Sequence, residues 1–154
     1  MLVGANKKKT KNKINKKEEE QPINIEETSD SLIQQFIENR DYSGAATVID
    51  FFIEELQQPY TRELGLWKAY SLFHMGKYLD AITEYQKLLT DDPNDLILNL
   101  YIASCHFYNG DYDEAQNSVL KGNDCDLKTR LMFHIAQHRN DEQQLFKTHS
   151  EMTG

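Results

Sequence analysis

Two histidines, His134 and His138, lie four residues apart in a segment whose apolar pattern predicts a helix. This spacing would place both imidazoles on one helix face, as two zinc ligands would require. A hydrolytic zinc site of this type also needs a glutamate directly after the first histidine and a third ligand, and the sequence around His134 supplies neither. Packed or surface histidines are the commoner interpretation, so we expect no metal and no cofactor.

Carboxylates also occur in pairs, Asp91 with Asp92 and Asp111 with Asp113. A carboxylate pair could act in acid–base catalysis. Both pairs, however, fall at predicted turns and helix starts, where aspartate commonly accepts hydrogen bonds from free backbone amides. The seven glycines never cluster into a phosphate-binding loop. The sequence therefore predicts no catalytic residues, and we expect a protein that is not an enzyme.

The beginning of the chain is strongly basic. Residues 1–17 carry a formal charge of +7, and the remaining 10 basic and 25 acidic residues give residues 18–154 a charge of −15. Such a segment attracts polyanions without specificity, and an acidic microtubule surface is one candidate. Nucleic acid is not expected, because the segment has no arginine and no interleaved aromatic residues to contact bases. The alternative is a solubilising or targeting tail without a defined partner. The lysines are Lys7, Lys8, Lys9, Lys11, Lys13, Lys16 and Lys17.

Composition limits the rest of the chain. We expect residues 1–27 to be a lysine-rich tail that is disordered in isolation, and residues 28–154 to form one folded domain. No apolar run approaches the length needed to span a membrane, so no membrane partner is expected. The first residues lack an apolar secretory signal, and Cys105 and Cys125 are accordingly expected to be free thiols.

Apolar residues recur every three or four positions from Thr28 onward, which predicts helices. No segment alternates with a period of two for long enough to indicate a strand. The predicted fold class is all-α, with about eight helices in antiparallel pairs. We expect the last two helices at residues 126–137 and 141–152.

The helix pairs repeat with a period of 34 residues, since Gly76, Tyr78 and Ala81 recur as Gly110, Tyr112 and Ala115. This is the period of the tetratricopeptide repeat, a helix–turn–helix unit that stacks into a right-handed superhelical solenoid. In this frame glycine forms the turn, tyrosine wedges it, alanine allows close helix packing and Pro93 ends the repeat. The predicted repeats are residues 28–60, 62–95 and 96–125, followed by a degenerate helix pair at residues 126–152.

A tetratricopeptide solenoid usually binds a partner on its concave face, which is built mainly from the first helix of each repeat. We expect this groove to be apolar and to lack the lysine and arginine residues that chaperone adaptors use to clamp a carboxylate. An apolar segment of another protein is therefore the expected guest. The alternative is that the chain's own ends cover these residues. The predicted groove residues are Leu66, Tyr70, Phe73, Leu100, Ser104 and Phe107.

Residues 130–145, RLMFHIAQHRNDEQQL, are not typical of tetratricopeptide proteins in general. They resemble a segment of subunit 56 of intraflagellar transport complex B, and the matching residues include Arg130, Leu131, Phe133, His134 and the run Asn140 to Glu142. The segments RDYSGAATVIDF and LWKAYSLFHMGKYLDAITEY and the lysine-rich beginning resemble the opening repeats of the same family. The resemblance extends over nearly the whole chain but only the N-terminal part of that family, whose members are several times longer.

The resemblance implies a non-catalytic scaffold of the cilium or flagellum that links transport complex B subunits or carries axonemal cargo. Its expected locations are the cilium, the cytoplasm and the cytoskeleton. The alternative is an axonemal structural protein bound to doublet microtubules, with the basic tail contacting tubulin.

Overall fold

The computed structural model describes residues 25–153, and its side chains from residue 28 to residue 151. The seven lysines predicted to form a polyanion-binding tail lie outside the described residues. The described part is an all-α, tetratricopeptide-like solenoid, which confirms the predicted fold class. Its helices are α1 (Ile25–Glu38), α2 (Tyr42–Glu54), α3 (Arg62–His74), α4 (Tyr78–Asp91), α5 (Ile97–Tyr108), α6 (Tyr112–Leu120) and α7 (Asp126–Thr153).

Each helix packs against the next along the chain, and α5 also packs against α7. The hydrophobic core is likewise divided into separate clusters of buried residues along the array. Ile33, Ile49 and Leu64 form one buried cluster at the beginning, and Ala115 and Ile135 belong to another at the end. Neighbour-only packing of this kind is the property that defines a solenoid.

The turn within each repeat uses the same backbone hydrogen bonds. Gly76 and Gly110 have φ angles of 77° and 83°, in the left-handed region that favours glycine. The amide that follows each glycine donates to the carbonyl five residues earlier, at 2.9 Å in both turns. The turn between α1 and α2 has the same bond at 2.8 Å, but Arg40 occupies the glycine position with a φ of 55°. The repeat geometry therefore extends to the first pair without its glycine.

The end of the chain differs from the prediction. Instead of a helix pair, residues 126–153 form one continuous helix of 28 residues, about 42 Å long at 1.5 Å per residue. The predicted break at residues 138–140 is wrong because the sequence there, His-Arg-Asn, contains neither glycine nor proline, and asparagine disfavours a helix only mildly. The chain also enters its first helix at Ile25, within the segment predicted to be the tail.

Candidate partner-binding groove

A groove of about 580 Å³ lies between α3, α5 and α7, the first helices of successive repeats. Most of its lining is apolar or aromatic, and none of the lining residues is an aspartate or glutamate. The lining consists of Leu66, Trp67, Tyr70, Phe73, His74, Tyr85, Tyr101, Ser104, Tyr108, Leu127, Arg130, Leu131 and His134.

The α3 wall is a connected set of rings centred on Tyr70. The ring of Tyr70 lies 5.8 Å from that of Trp67 and 4.4 Å from that of His74, both in edge-to-face geometry. Tyr42, at the start of α2, meets Tyr70 at 6.0 Å and stacks on His74 at 4.6 Å. Edge-to-face and offset contacts are the favourable arrangements for aromatic pairs. The rings therefore support one another, although Trp67 and Tyr70 are each 37% exposed.

The α5 wall is tied to the repeat before it. Tyr101 lies 5.5 Å from the buried Tyr85 of α4, which belongs to the groove floor. Tyr108 lies 5.3 Å from Phe73 and 6.1 Å from Tyr78. The shape of the groove thus depends on contacts between repeats, and neither helix could form it alone.

The α7 wall presents Leu127, Arg130, Leu131 and His134, which the helical period places on one face. Arg130 is exposed and is the lining residue that carries a permanent positive charge. The prediction that the groove lacks cations is therefore wrong. The arginine comes from the last helix, whereas the predicted groove was drawn only from α3 and α5.

Four of the six predicted groove residues line it: Leu66, Tyr70, Phe73 and Ser104. Leu100 does not, because it is completely buried in the cluster that also contains Leu131 and Ile135. Phe107 packs against the same cluster and lies 5.1 Å from the ring of His138. The physical reason is that this face of α5 meets α7, so its large side chains fill the interface between repeats.

Burial shifts the pKa values of three groove-lining residues toward their uncharged forms. Partial burial lowers the pKa of His74 below its ordinary value, so its imidazole is uncharged at neutral pH. Burial raises the pKa of Tyr70, with a further contribution from Tyr42, and burial raises that of Tyr85. Both phenols therefore remain protonated and can donate hydrogen bonds.

An ionic cluster around the buried carboxylate of Glu84 supports α3 from behind the groove. Glu84 of α4 is 5% exposed, accepts a hydrogen bond of 2.7 Å from the Tyr60 hydroxyl, and lies 3.2 Å from the Lys68 ammonium and 3.0 Å from that of Lys87. Lys68 also pairs with Asp50 of α2 at 2.8 Å. Burial opposes ionisation of Glu84, but the hydrogen bonds from Tyr60 and Lys87 and the Lys68 charge outweigh it and lower its pKa. The cluster links three consecutive helices and was not predicted.

His138, Asp111 and Asp113, three of the residues that could have done chemistry, have structural contacts instead. His138 stacks on Tyr112 at 5.3 Å, and its Nδ1 lies 3.4 Å from the Tyr112 hydroxyl. Asp113 accepts a 2.7 Å hydrogen bond from Arg139, and Asp111 accepts one of 2.8 Å from Asn109. Within residues 25–153, no group of three or more His, Cys, Asp or Glu side chains is arranged to hold a metal ion.

Cys105 is buried in α5, and Cys125 lies just before α7; both are free thiols. Burial raises the pKa of Cys105 to about 12, which keeps it an unreactive thiol. Among the described helices, none combines the length and apolar composition that crossing a membrane would require.

Comparison with known proteins places these features in a family. The family model described as intraflagellar transport protein 56 matches residues 65–154, a range that includes every groove-lining residue. The intraflagellar transport protein 56 homolog of Caenorhabditis elegans is 29% identical over 122 residues, which represent 78% of this chain and 21% of the worm protein. The chain therefore spans about a fifth of the length of that relative. Since the family model matches more than half of the chain and agrees with the resemblance in residues 130–145, the chain belongs to the intraflagellar transport protein 56 family.

Proposed function

We propose that this chain is a non-catalytic scaffold of the cilium, whose groove holds an apolar segment of another intraflagellar transport protein. The observation that carries the proposal is the groove between α3, α5 and α7, an aromatic concave surface in a chain of this family. Tetratricopeptide solenoids use this surface to bind extended or helical segments of their partners.

The groove is organised before a partner arrives. The ring of Tyr70 contacts those of Trp67 and His74, and the ring of Tyr108 meets that of Phe73 edge to face. Lys68, from the opposite face of α3, fixes that helix to α2 and α4 through Asp50 and Glu84. A preformed site avoids much of the side-chain ordering that binding otherwise costs. This favours a docking role for the exposed rings.

The test uses a matched pair of substitutions. Ser104 lines the groove, and its hydroxyl donates to the Leu100 carbonyl four residues earlier. Thr83 makes the same type of bond to Leu79 on the exposed face of α4. Ser104→Trp would fill the groove, whereas Thr83→Trp adds the same bulk elsewhere.

Tagged versions of the full chain would be expressed in ciliated cells, and co-sedimentation with transport complex B subunits would be measured by quantitative mass spectrometry. The proposal expects wild type and Thr83→Trp to sediment with the complex, and Ser104→Trp to be lost from it. Equal co-sedimentation of a folded Ser104→Trp variant would contradict a role for the groove.

Salt extraction separates this function from the axonemal alternative, which the seven lysines of residues 1–17 favour. A transport scaffold should be released with the soluble ciliary matrix after detergent treatment. Retention on the axoneme until high salt, together with loss of microtubule pelleting when residues 1–17 are deleted, would instead support a fixed structural role.

A further inference from the structure

Arg130 is the feature of the groove that an apolar guest alone would not explain. Its side chain is exposed and lines the groove from α7, one helical turn before His134. The structure records no ion pair or hydrogen bond for Arg130 with any described residue. Arg139 on the same helix pairs with Asp113 at 2.7 Å, and Arg62 on α3 pairs with Asp95 at 2.6 Å. The guanidinium of Arg130 therefore differs from these two arginines in having its donors available.

The groove around Arg130 lacks acidic residues, although the chain as a whole is acidic. Residues 18–154 carry a formal charge of −15, yet no carboxylate lines the groove. Leu127 and Leu131 flank Arg130 on its own helix, and rings from α3 and α5 form the other walls. A guanidinium beside apolar surface forms stronger ion pairs than one in open solvent, since bound partners exclude water from it.

We propose that the groove recognises an apolar segment that carries one aspartate or glutamate, and that this carboxylate pairs with Arg130. This inference rests on the proposed function of the groove and specifies its ligand. Five N–H donors in a planar fork suit a bidentate contact with a carboxylate. The aromatic residues of α3 and α5 contact the apolar side chains of the segment, and Arg130 of α7 binds its carboxylate.

The proposed carboxylate is that of an internal aspartate or glutamate side chain. Packed helices lie about 8–10 Å apart, so a segment that crosses from α3 to α7 covers roughly 20 Å. Arg130 lies on the α7 side of this path, where it meets the carboxylate. The acidic body also limits the number of carboxylates that the segment can carry, since further acids would be repelled by residues 18–154.

Selection from a random peptide library would test the inference. The library would be displayed on phage and selected in parallel on the full chain, on Arg130→Glu and on Ser104→Trp. The expected result is an apolar motif with one acidic position on the wild type, a motif with lysine or arginine at that position on Arg130→Glu, and no enrichment on Ser104→Trp. Arg130→Gln keeps the size of the side chain and should select the apolar motif without the acid.

The outcomes separate the two proposals. If the wild type and Ser104→Trp enrich the same peptides, or if neither enriches any, the proposed function of the groove is overturned and the inference with it. The same motif on wild type, Arg130→Glu and Arg130→Gln would overturn the pairing with Arg130 while leaving the groove as a binding site. Thermal unfolding of each variant establishes that it is folded.

The interaction between the acid and Arg130 is then measured directly, by fluorescence anisotropy with a synthetic peptide of the selected sequence. Changing its acid to the amide should weaken binding to the wild type about tenfold, as expected for a charge-assisted hydrogen bond. The same change should leave binding to Arg130→Gln unaltered. Amidation of the peptide's C-terminus should have no effect; a loss on amidation would show that the groove recognises a terminal carboxylate and would overturn the internal acid.

Discussion

Two regions with exposed apolar side chains differ in how those side chains are supported: the groove, and the outer half of α7 from Asn140 onward. In the groove, Trp67 and Tyr70 are each 37% exposed but are held by other rings. On α7, Leu145 and Phe146 are 71% and 77% exposed and belong to none of the core clusters of the described chain. Exposure alone therefore does not identify a docking surface. The difference is that neighbouring repeats organise the first region and leave the second without packing.

The largest expected effect comes from comparing two positions on α7 itself. Ile135 is fully buried, and Leu145 lies ten residues later on the exposed part of the same helix. Ile135→Ala should reduce the free energy of unfolding by about 3 kcal/mol, since it removes buried methyl groups and leaves a cavity. Leu145→Ala should change it by less than about 0.5 kcal/mol. Urea unfolding measures both, and a loss above about 1 kcal/mol for Leu145→Ala would show that this region is packed.

The ionic cluster behind the groove gives a pH-dependent comparison. Burial opposes ionisation of Glu84, but Tyr60, Lys87 and Lys68 together lower its pKa in the folded state. Its contribution to stability is therefore present above the unfolded-state pKa of about 4.3 and is lost as the pH falls through the folded-state value. Glu84→Gln should destabilise the protein by about 2 kcal/mol at pH 7, and by progressively less on acidification.

The control for Glu84→Gln is Glu142→Gln, which changes an exposed acid on the outer half of α7. Its effect at pH 7 should stay within about 0.5 kcal/mol. Urea unfolding of both variants from pH 3 to pH 7 makes the comparison. A constant penalty for Glu84→Gln over that range would contradict the proposed electrostatic origin.

These two regions also show what the sequence could and could not predict. The all-α fold, the repeat period and the turns at Gly76 and Gly110 depend on local patterns, so they can be recognised one repeat at a time. Which residues line the groove depends on how each repeat is rotated relative to the repeat before it. Leu66 lines the groove, but Leu100, 34 residues later, is buried against α7. Identical positions in the repeat thus have different neighbours.

Long-range contacts account for the other omissions. Arg130 comes into the groove only because α7 packs on α5, and Glu84 meets Lys68 and Tyr60 only after α3 and α4 have paired. The single α7 helix was missed for a different reason. Nothing in residues 138–140 ends a helix strongly, and the expected repeat pattern suggested a break that the local sequence does not require.

A smaller effect is expected inside the groove. Tyr70→Ala removes ring contacts with Tyr42, Trp67 and His74, so it should cost about 1–2 kcal/mol of stability. Phe146→Ala, in the outer half of α7, should cost less than about 0.5 kcal/mol. Trp67 is the protein's one tryptophan and reports unfolding at the groove by its emission. Equal stability of the two variants would contradict the view that the groove rings are mutually supported.

The smallest expected effect is the removal of the outer half of α7. Truncation after Arg139 should change the stability of the remaining body by less than about 0.5 kcal/mol, since single exposed positions contribute little. Helices of fewer than about 12–15 residues are marginal in water unless they pack. The amides of Leu145 and Phe146 should therefore exchange with solvent much faster than those of Leu131 and Ile135, as measured by hydrogen exchange. Equal protection along the whole helix would mean that something covers the outer half. Dependence of that protection on protein concentration would then identify the cover as a second copy of the chain, and the contrast between an organised groove and an unsupported helix would no longer hold.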